Sequence, residues 1–284
     1  MTEIRTIGVV GLGAMGAGIA QLAVEAGFDT VGREVTPELG AAAAKRIEHF
    51  LGRKVEKGQL SEEERDAAVA RLGTTADLEA LADCDLVIEA IVEELAPKRA
   101  LFAELDRICR PDAILATNTS ALSVTEIAAA TTRPERVVGM HFFNPAPLMP
   151  LVEIVQAELT SEATMAVAAD VSARFGKDVV CCHDTPGFIV NRVLIPLLND
   201  CLRVLDEARV TPEALDLALT NGAGWPMGPC ALVDLVGIDV HVHAAEALYA
   251  RSRDPRMAPP ARVVSMKDAG LLGRKSGRGF YTYD

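Results

Sequence analysis

The chain has 284 residues, half hydrophobic but only 4% aromatic, enough apolar mass for one large or two ordinary domains with cores of Ala, Val, Leu and Ile. A formal net charge of −12 repels nucleic acid and anionic membrane, so an anionic ligand would need a local basic patch. No apolar run is long enough to span a bilayer, and six cysteines (84, 109, 181, 182, 201, 230) without CxxC spacing read as reduced thiols of a cytoplasmic protein with no metal site.

In chain order, Ile4–Val10 is a β-branched run suited to a buried parallel strand. GLGAMG follows, then an Ala-rich helical stretch to about Ala26. The uncharged segment Ile7–Gln21 behind Arg5 also has the look of a signal peptide, but four glycines between 11 and 18 interrupt the apolar helix such a leader needs. Phe28–Arg33 reads as a second strand. Thr36 and Pro37 then serve as N-cap and first position of a helix to about Lys57. Ser61 with Glu64, and Ser123 with Glu126, have capping-box spacing, the first opening a helix over Ser61–Arg71. CDLVIEAI, AILATNTS, RVVGMHFF and LVEIV supply further strands, with a helix over Pro97–Ile108.

Strands alternating with helices predict a Rossmann-type doubly wound α/β domain over 1–184. After VVCC the pattern changes. Thr185 and Pro186 are expected to cap and open a helix, and 186–206, 212–221 and 229–250 carry helical periodicity with NGAGWPMGP between the last two. An all-helical second domain over 185–284 is expected.

Gly11, Gly13 and Gly16 form G-x-G-x-x-G between strand and helix. The first permits the tight turn, the second admits a pyrophosphate, the third allows close helix–strand packing, and Ala14 and Met15 open the helix whose N-terminus faces the anion. Glu34 follows at the spacing of a ribose-binding acid, which favours NAD and disfavours NADP. Arg33 is a complication, because arginine can hold a 2′-phosphate. In MHFFNPAPLMPLVEIV, His141 and Glu153 are the only titratable residues in a greasy stretch stiffened by prolines. A histidine steered by a carboxylate suits removal of an alcohol proton near neutral pH. On spacing alone, a structural histidine satisfied by a nearby acid fits equally well.

GLGAMGAGIA, DLVIEAIVEE, NTSALS, GMHFFNPAPLMPLVEIV, DTPGFIVNR, GAGWPMGP and GRKSGRGFY together resemble, over essentially the whole chain, the motifs of short-chain L-3-hydroxyacyl-CoA dehydrogenases, nearest their bacterial 3-hydroxybutyryl-CoA branch. The resemblance implies His141 as general acid/base, Glu153 as its partner, and Ser120 and Asn191 holding the reacting substrate oxygens. Glu93, Lys98, Asn144 and Lys275 match cofactor contacts, with Ser120 beside them. Arg53 and Lys57 match basic positions that meet CoA, four apart on one helix face. A homodimer through the helical domain is implied as well. Glu34 stands where Asp is more usual, Gly32 where strand two has a branched residue, and Ala121 where a second serine is common. GLGAMG also resembles the start of β-hydroxyacid dehydrogenases acting on free acids, but their glycine-rich substrate loop is not found. The same residues would also serve a dehydrogenase of a carrier-protein-tethered hydroxyacyl group, and the same fold could belong to a non-enzymatic dinucleotide-binding protein.

Overall fold

A computed structural model describes residues 3–283 and divides into two compact units, Met1–Thr185 and Pro186–Asp284. In the first, strand–helix alternation runs β1 (Thr6–Val10), α1 (Ala14–Glu25), β2 (Asp29–Arg33), α2 (Pro37–Glu56), α3 (Glu62–Ala70), β3 (Leu72–Thr75), β4 (Leu86–Glu89), α4 (Leu95–Ile108), β5 (Ile114–Thr117), α5 (Val124–Ala128), β6 (Val137–Phe142), β7 (Leu151–Gln156), α6 (Glu162–Arg174) and β8 (Asp178–His183). Among the described residues these strands form one eight-stranded sheet, ordered β3-β2-β1-β4-β5-β6-β7-β8. β3 through β6 in that order are mutually parallel; β7 returns antiparallel to β6, and β8 runs parallel to β7. β4, β5 and β6 are buried along their whole length, which is why they read as largely apolar runs. Leu72–Thr75 has no strand signature in the sequence because LGTT lacks an apolar run, and only pairing with β2 makes it a strand.

The caps explain most helix starts. Thr36 accepts from Leu39 N–H with Pro37 behind it, and Ser61 and Glu64 make the full reciprocal box. The expected box at 123–126 is only half formed. Ser123 Oγ accepts from Glu126 N–H but donates to Asp184 Oδ2 at 2.6 Å, and Asp184 also takes Thr125 N–H at 2.9 Å. A distant carboxylate has taken the place of the local one.

The second unit is helical, with α7 (Val190–Glu207), α8 (Pro212–Leu217), α9 (Pro229–Val236), α10 (Ile238–Ser252) and α11 (Ala261–Asp268). Its first helix does not open at Pro186 as expected. Gly187 and Phe188 have φ of 81° and 53°, outside the right-handed helical region, so α7 starts at Val190. The single segment expected over 229–250 is two helices, broken at Gly237, φ 104°. Two buried aspartates fasten the C-terminal tail. Asp234 accepts from the N–H groups of Phe280 and Tyr281 and from Tyr283 OH, and Asp216 accepts from Tyr281 OH and from the first turn of α9.

Candidate active site

The three glycines divide their roles as elementary sterics requires. A Cβ at Gly11 would lie 2.7 Å from Ala90 O, and one at Gly16 only 1.7 Å from Gly11 O, so both positions need a bare backbone. A Cβ at Gly13 would meet nothing within 4 Å. The loop is thus tight on both flanks and open in its middle, at the N-terminus of a helix that has no side-chain cap. An open glycine turn at an uncapped helix N-terminus has the shape and polarity that suit a pyrophosphate.

Glu34, just past β2, turns back on this loop. One carboxylate oxygen accepts from Leu12 N–H at 2.7 Å and the other from Val35 N–H at 2.9 Å. Arg46 of α2, which sequence reasoning missed, holds the same residue by donating to Leu12 O at 2.7 Å. Arg33, the last residue of β2, forms no ion pair among the described residues.

At the ends of β4 and β5 lies a buried charged network. Glu89 is fully buried, accepting from Lys98 Nζ at 2.5 Å, Ile91 N–H at 2.7 Å and Thr117 Oγ at 2.6 Å. Lys98 is only 1% exposed and reaches Glu93 at 3.3 Å. Glu93 accepts from Thr119 Oγ, Ser120 N–H and Ala121 N–H. Burial pushes the Glu93 carboxyl up, but the Lys98 charge and these donors outweigh it and hold it below the usual range. Glu89 went unread because a carboxylate ending an apolar strand has no distinctive spacing.

His141 and Glu153 are direct register partners across the antiparallel β6–β7 pair, so their side chains leave the sheet on the same face. His141 Nδ1 lies 2.7 Å from Glu153 Oε2, and both are buried. Asn118 ties the neighbouring strands together by accepting from Phe142 N–H at 3.0 Å. Burial, and then the Glu153 charge, push the Cys182 thiol up to about 11.

A cavity of about 620 Å³ lies between α1, α2 and the proline-rich loop after β6. Ala14, Asn144, Arg53 and Lys57 line it, together with Phe50 and Leu148. Four sequence-predicted residues therefore meet here; His141 and Glu153 are not in its wall. Arg53 and Lys57 are exposed and enter no ion pair among the described residues, whereas Lys54 between them is neutralised by Glu25 at 2.6 Å. The two give the cavity wall a local positive charge.

Residues 6–185 match the family model described as the NAD binding domain of 3-hydroxyacyl-CoA dehydrogenase, and residues 187–283 match that of its C-terminal domain. The chain belongs to the 3-hydroxyacyl-CoA dehydrogenase family. It is 45% identical to a 3-hydroxybutyryl-CoA dehydrogenase of Mycobacterium tuberculosis, over 99% of each chain. It is 44% identical to a probable 3-hydroxybutyryl-CoA dehydrogenase of Bacillus subtilis, over 99% of this chain and 98% of that one. The crystal structure of M. tuberculosis FadB2 matches with a TM-score of 0.95 at 44% identity, covering all of both chains. The protein is therefore an NAD-dependent oxidoreductase.

In this 3-hydroxyacyl-CoA dehydrogenase the glycine loop, Glu34, Glu93 and Ser120 all sit at the carboxyl ends of the parallel strands, where such sheets bind dinucleotides. Two expected residues belong to the helical unit. Asn191 is the second residue of α7. Lys275 lies in a short 3₁₀ turn with Nζ 2.6 Å from Asp239. No helix among the described residues is long and apolar enough to cross a membrane.

Proposed function

We propose that the protein oxidises short-chain L-3-hydroxyacyl-CoA, 3-hydroxybutyryl-CoA among them, to the 3-oxoacyl-CoA and catalyses the reverse reduction, with His141 as acid/base and Glu153 as its partner. One observation carries this: a buried imidazole hydrogen-bonded to a buried carboxylate, set by strand register on the sheet that bears the dinucleotide cradle. NAD, when bound, supplies the hydride acceptor. Gly11, Gly13, Ala14, Met15 and Gly16 would hold its pyrophosphate, Glu34 its ribose hydroxyls, and Glu93, Ser120 and Asn144 the nicotinamide half.

With Glu153 ionised, Nδ1–H donates to it and the ring's lone pair is on Nε2. Nε2 takes the C3 hydroxyl proton as hydride leaves that carbon, and Glu153 stabilises the imidazolium that results. In reduction the same proton returns to the C3 oxygen. Ser120 and Asn191 orient the reacting oxygens. Arg53 and Lys57 attract the CoA phosphates, while the apolar walls around them suit the pantetheine arm. We also infer that the protein is cytoplasmic, in keeping with its six free cysteines, and a homodimer through its helical unit.

The test is NADH consumption with acetoacetyl-CoA. His141→Ala should lower kcat by about 10²–10⁴-fold while NADH binding persists. Glu153→Gln should lose activity on the same order, through the wrong tautomer. Arg53→Ala with Lys57→Ala should raise KM for acetoacetyl-CoA roughly three- to tenfold, as loss of two solvent-screened charges predicts. Full activity of the His141 variant would remove the assigned base. An unchanged KM in the double variant would shift the reading to a carrier-tethered or free acid substrate.

A further inference from the structure

Lys177, immediately before β8, is a buried lysine that the reaction above does not use. It is 9% exposed. Its Nζ donates to Ala146 O at 2.7 Å and to Met149 O at 2.9 Å, and it takes part in none of the ion pairs among the described residues. A buried ammonium answered only by carbonyl dipoles is costly, and neutral donors would satisfy two carbonyls as well. Burial holds its pKa below the ordinary lysine value, with repulsion from Lys54 adding to the effect and Glu25 opposing it.

The two carbonyls belong to the loop between His141's strand and Glu153's strand. Prolines at 145, 147 and 150 remove three of its N–H donors, and the loop's own hydrogen bonds run from Leu148 and Met149 to Pro145 O. Ala146 O and Met149 O flank Pro147 and Leu148, which form the cavity wall opposite Arg53 and Lys57. The loop is pressed onto α1, where a Cβ on Gly18 would come within 2.9 Å of Pro147. A lysine reaching this loop from the next strand but one fixes the wall's shape and leaves one unneutralised positive charge behind it.

We propose that Lys177 is a positioning and specificity residue for the anionic CoA portion of the substrate. It holds the 145–150 loop in place and adds its charge to the field of Arg53 and Lys57, without touching the substrate. The proposal rests on reading the cavity as the CoA site.

Lys177→Met removes charge and donors together, and Lys177→Gln keeps donors but removes the charge. The test compares KM for acetoacetyl-CoA with KM for acetoacetyl-N-acetylcysteamine, which lacks the phosphates, alongside the NADH dissociation constant from fluorescence. For Lys177→Met, KM for acetoacetyl-CoA should rise about tenfold, as loss of charged hydrogen bonds predicts, with kcat and NADH affinity within about threefold of wild type. Lys177→Gln should show a smaller rise confined to acetoacetyl-CoA, and Lys177→Arg should recover most of the affinity. Should the Met variant not fold, the Gln and Arg variants carry the comparison. An unchanged KM for acetoacetyl-CoA in folded Lys177→Gln would overturn the proposal, as would an equal rise for both thioesters. If Arg53→Ala with Lys57→Ala is also silent, the CoA reading itself has failed; if that pair raises KM and Lys177→Gln does not, only the role of Lys177 has.

Discussion

At position 241 an imidazole is buried at 2% exposure, with Nε2 2.9 Å from Asn199 Oδ1. The amide nitrogen of Asn199 donates to three carbonyls at 256–258, so its oxygen accepts and His241 Nε2–H donates. Burial lowers the His241 pKa from 6.5 to about 4. Above 6.5 the ring is neutral folded and unfolded and adds no pH dependence. As pH falls below 6.5 the unfolded chain takes a proton that the folded chain refuses, so the native state loses stability until about pH 4. The loss approaches about 3 kcal/mol. His241→Gln should flatten the fall in unfolding free energy over that window, measured by urea denaturation at several pH values; parallel curves for the two proteins would show that another group governs it. Neither His241 nor Arg46 had a legible role in the sequence, since a titratable residue in a helix looks the same whether it faces solvent or an enclosed partner.

The second strand is an element whose composition makes sense only beside the glycine loop. Gly32 stands where a branched residue is expected, and a Cβ there would lie 2.8 Å from Leu12 Cδ1. Leu12, between the first two glycines, is buried and fills the space that Gly32 leaves. Gly32→Val should therefore destabilise the protein by about 1–3 kcal/mol, as overpacking does, and weaken NAD binding because Leu12 carries the N–H that Glu34 holds. Adding Leu12→Ala should recover part of the stability, a non-additive pair in thermal or urea unfolding. Strict additivity would mean that the two side chains do not compete. The same scale shows why the start of the helical unit departs from expectation. Thr-Pro has the chemistry of a helix opening, but left-handed conformations at Gly187 and Phe188 postpone α7 to Val190.

For the whole molecule, charge and apolar surface are unevenly spread. A chain of net charge −12 nevertheless gathers Arg53 and Lys57 unpaired at one cavity. On α7, Val193 is 61% exposed, and Leu197 and Val204 are exposed on the same helical face. An apolar stripe of this kind is a candidate association surface. The protein should run at twice its 30.2 kDa chain mass in light scattering, and Val193→Glu with Leu197→Glu should convert it to monomer. Unaltered dimer mass in that variant would move the interface elsewhere.

Most strands and helices, most caps, the glycine loop and the two titratable residues His141 and Glu153 were readable from the chain, because each follows from periodicity or short-range spacing; β3 and α6 were not. What spacing could not say was whether those two side chains meet. Strand register brings them together, opposite each other across an antiparallel pair. Tertiary structure alone likewise enclosed Lys98 between Glu89 and Glu93, sent Asp184 to cap α5, and buried Lys177 beneath the proline loop. Burial and partnership between residues distant in the chain are properties of the packed interior, and no local pattern encodes them.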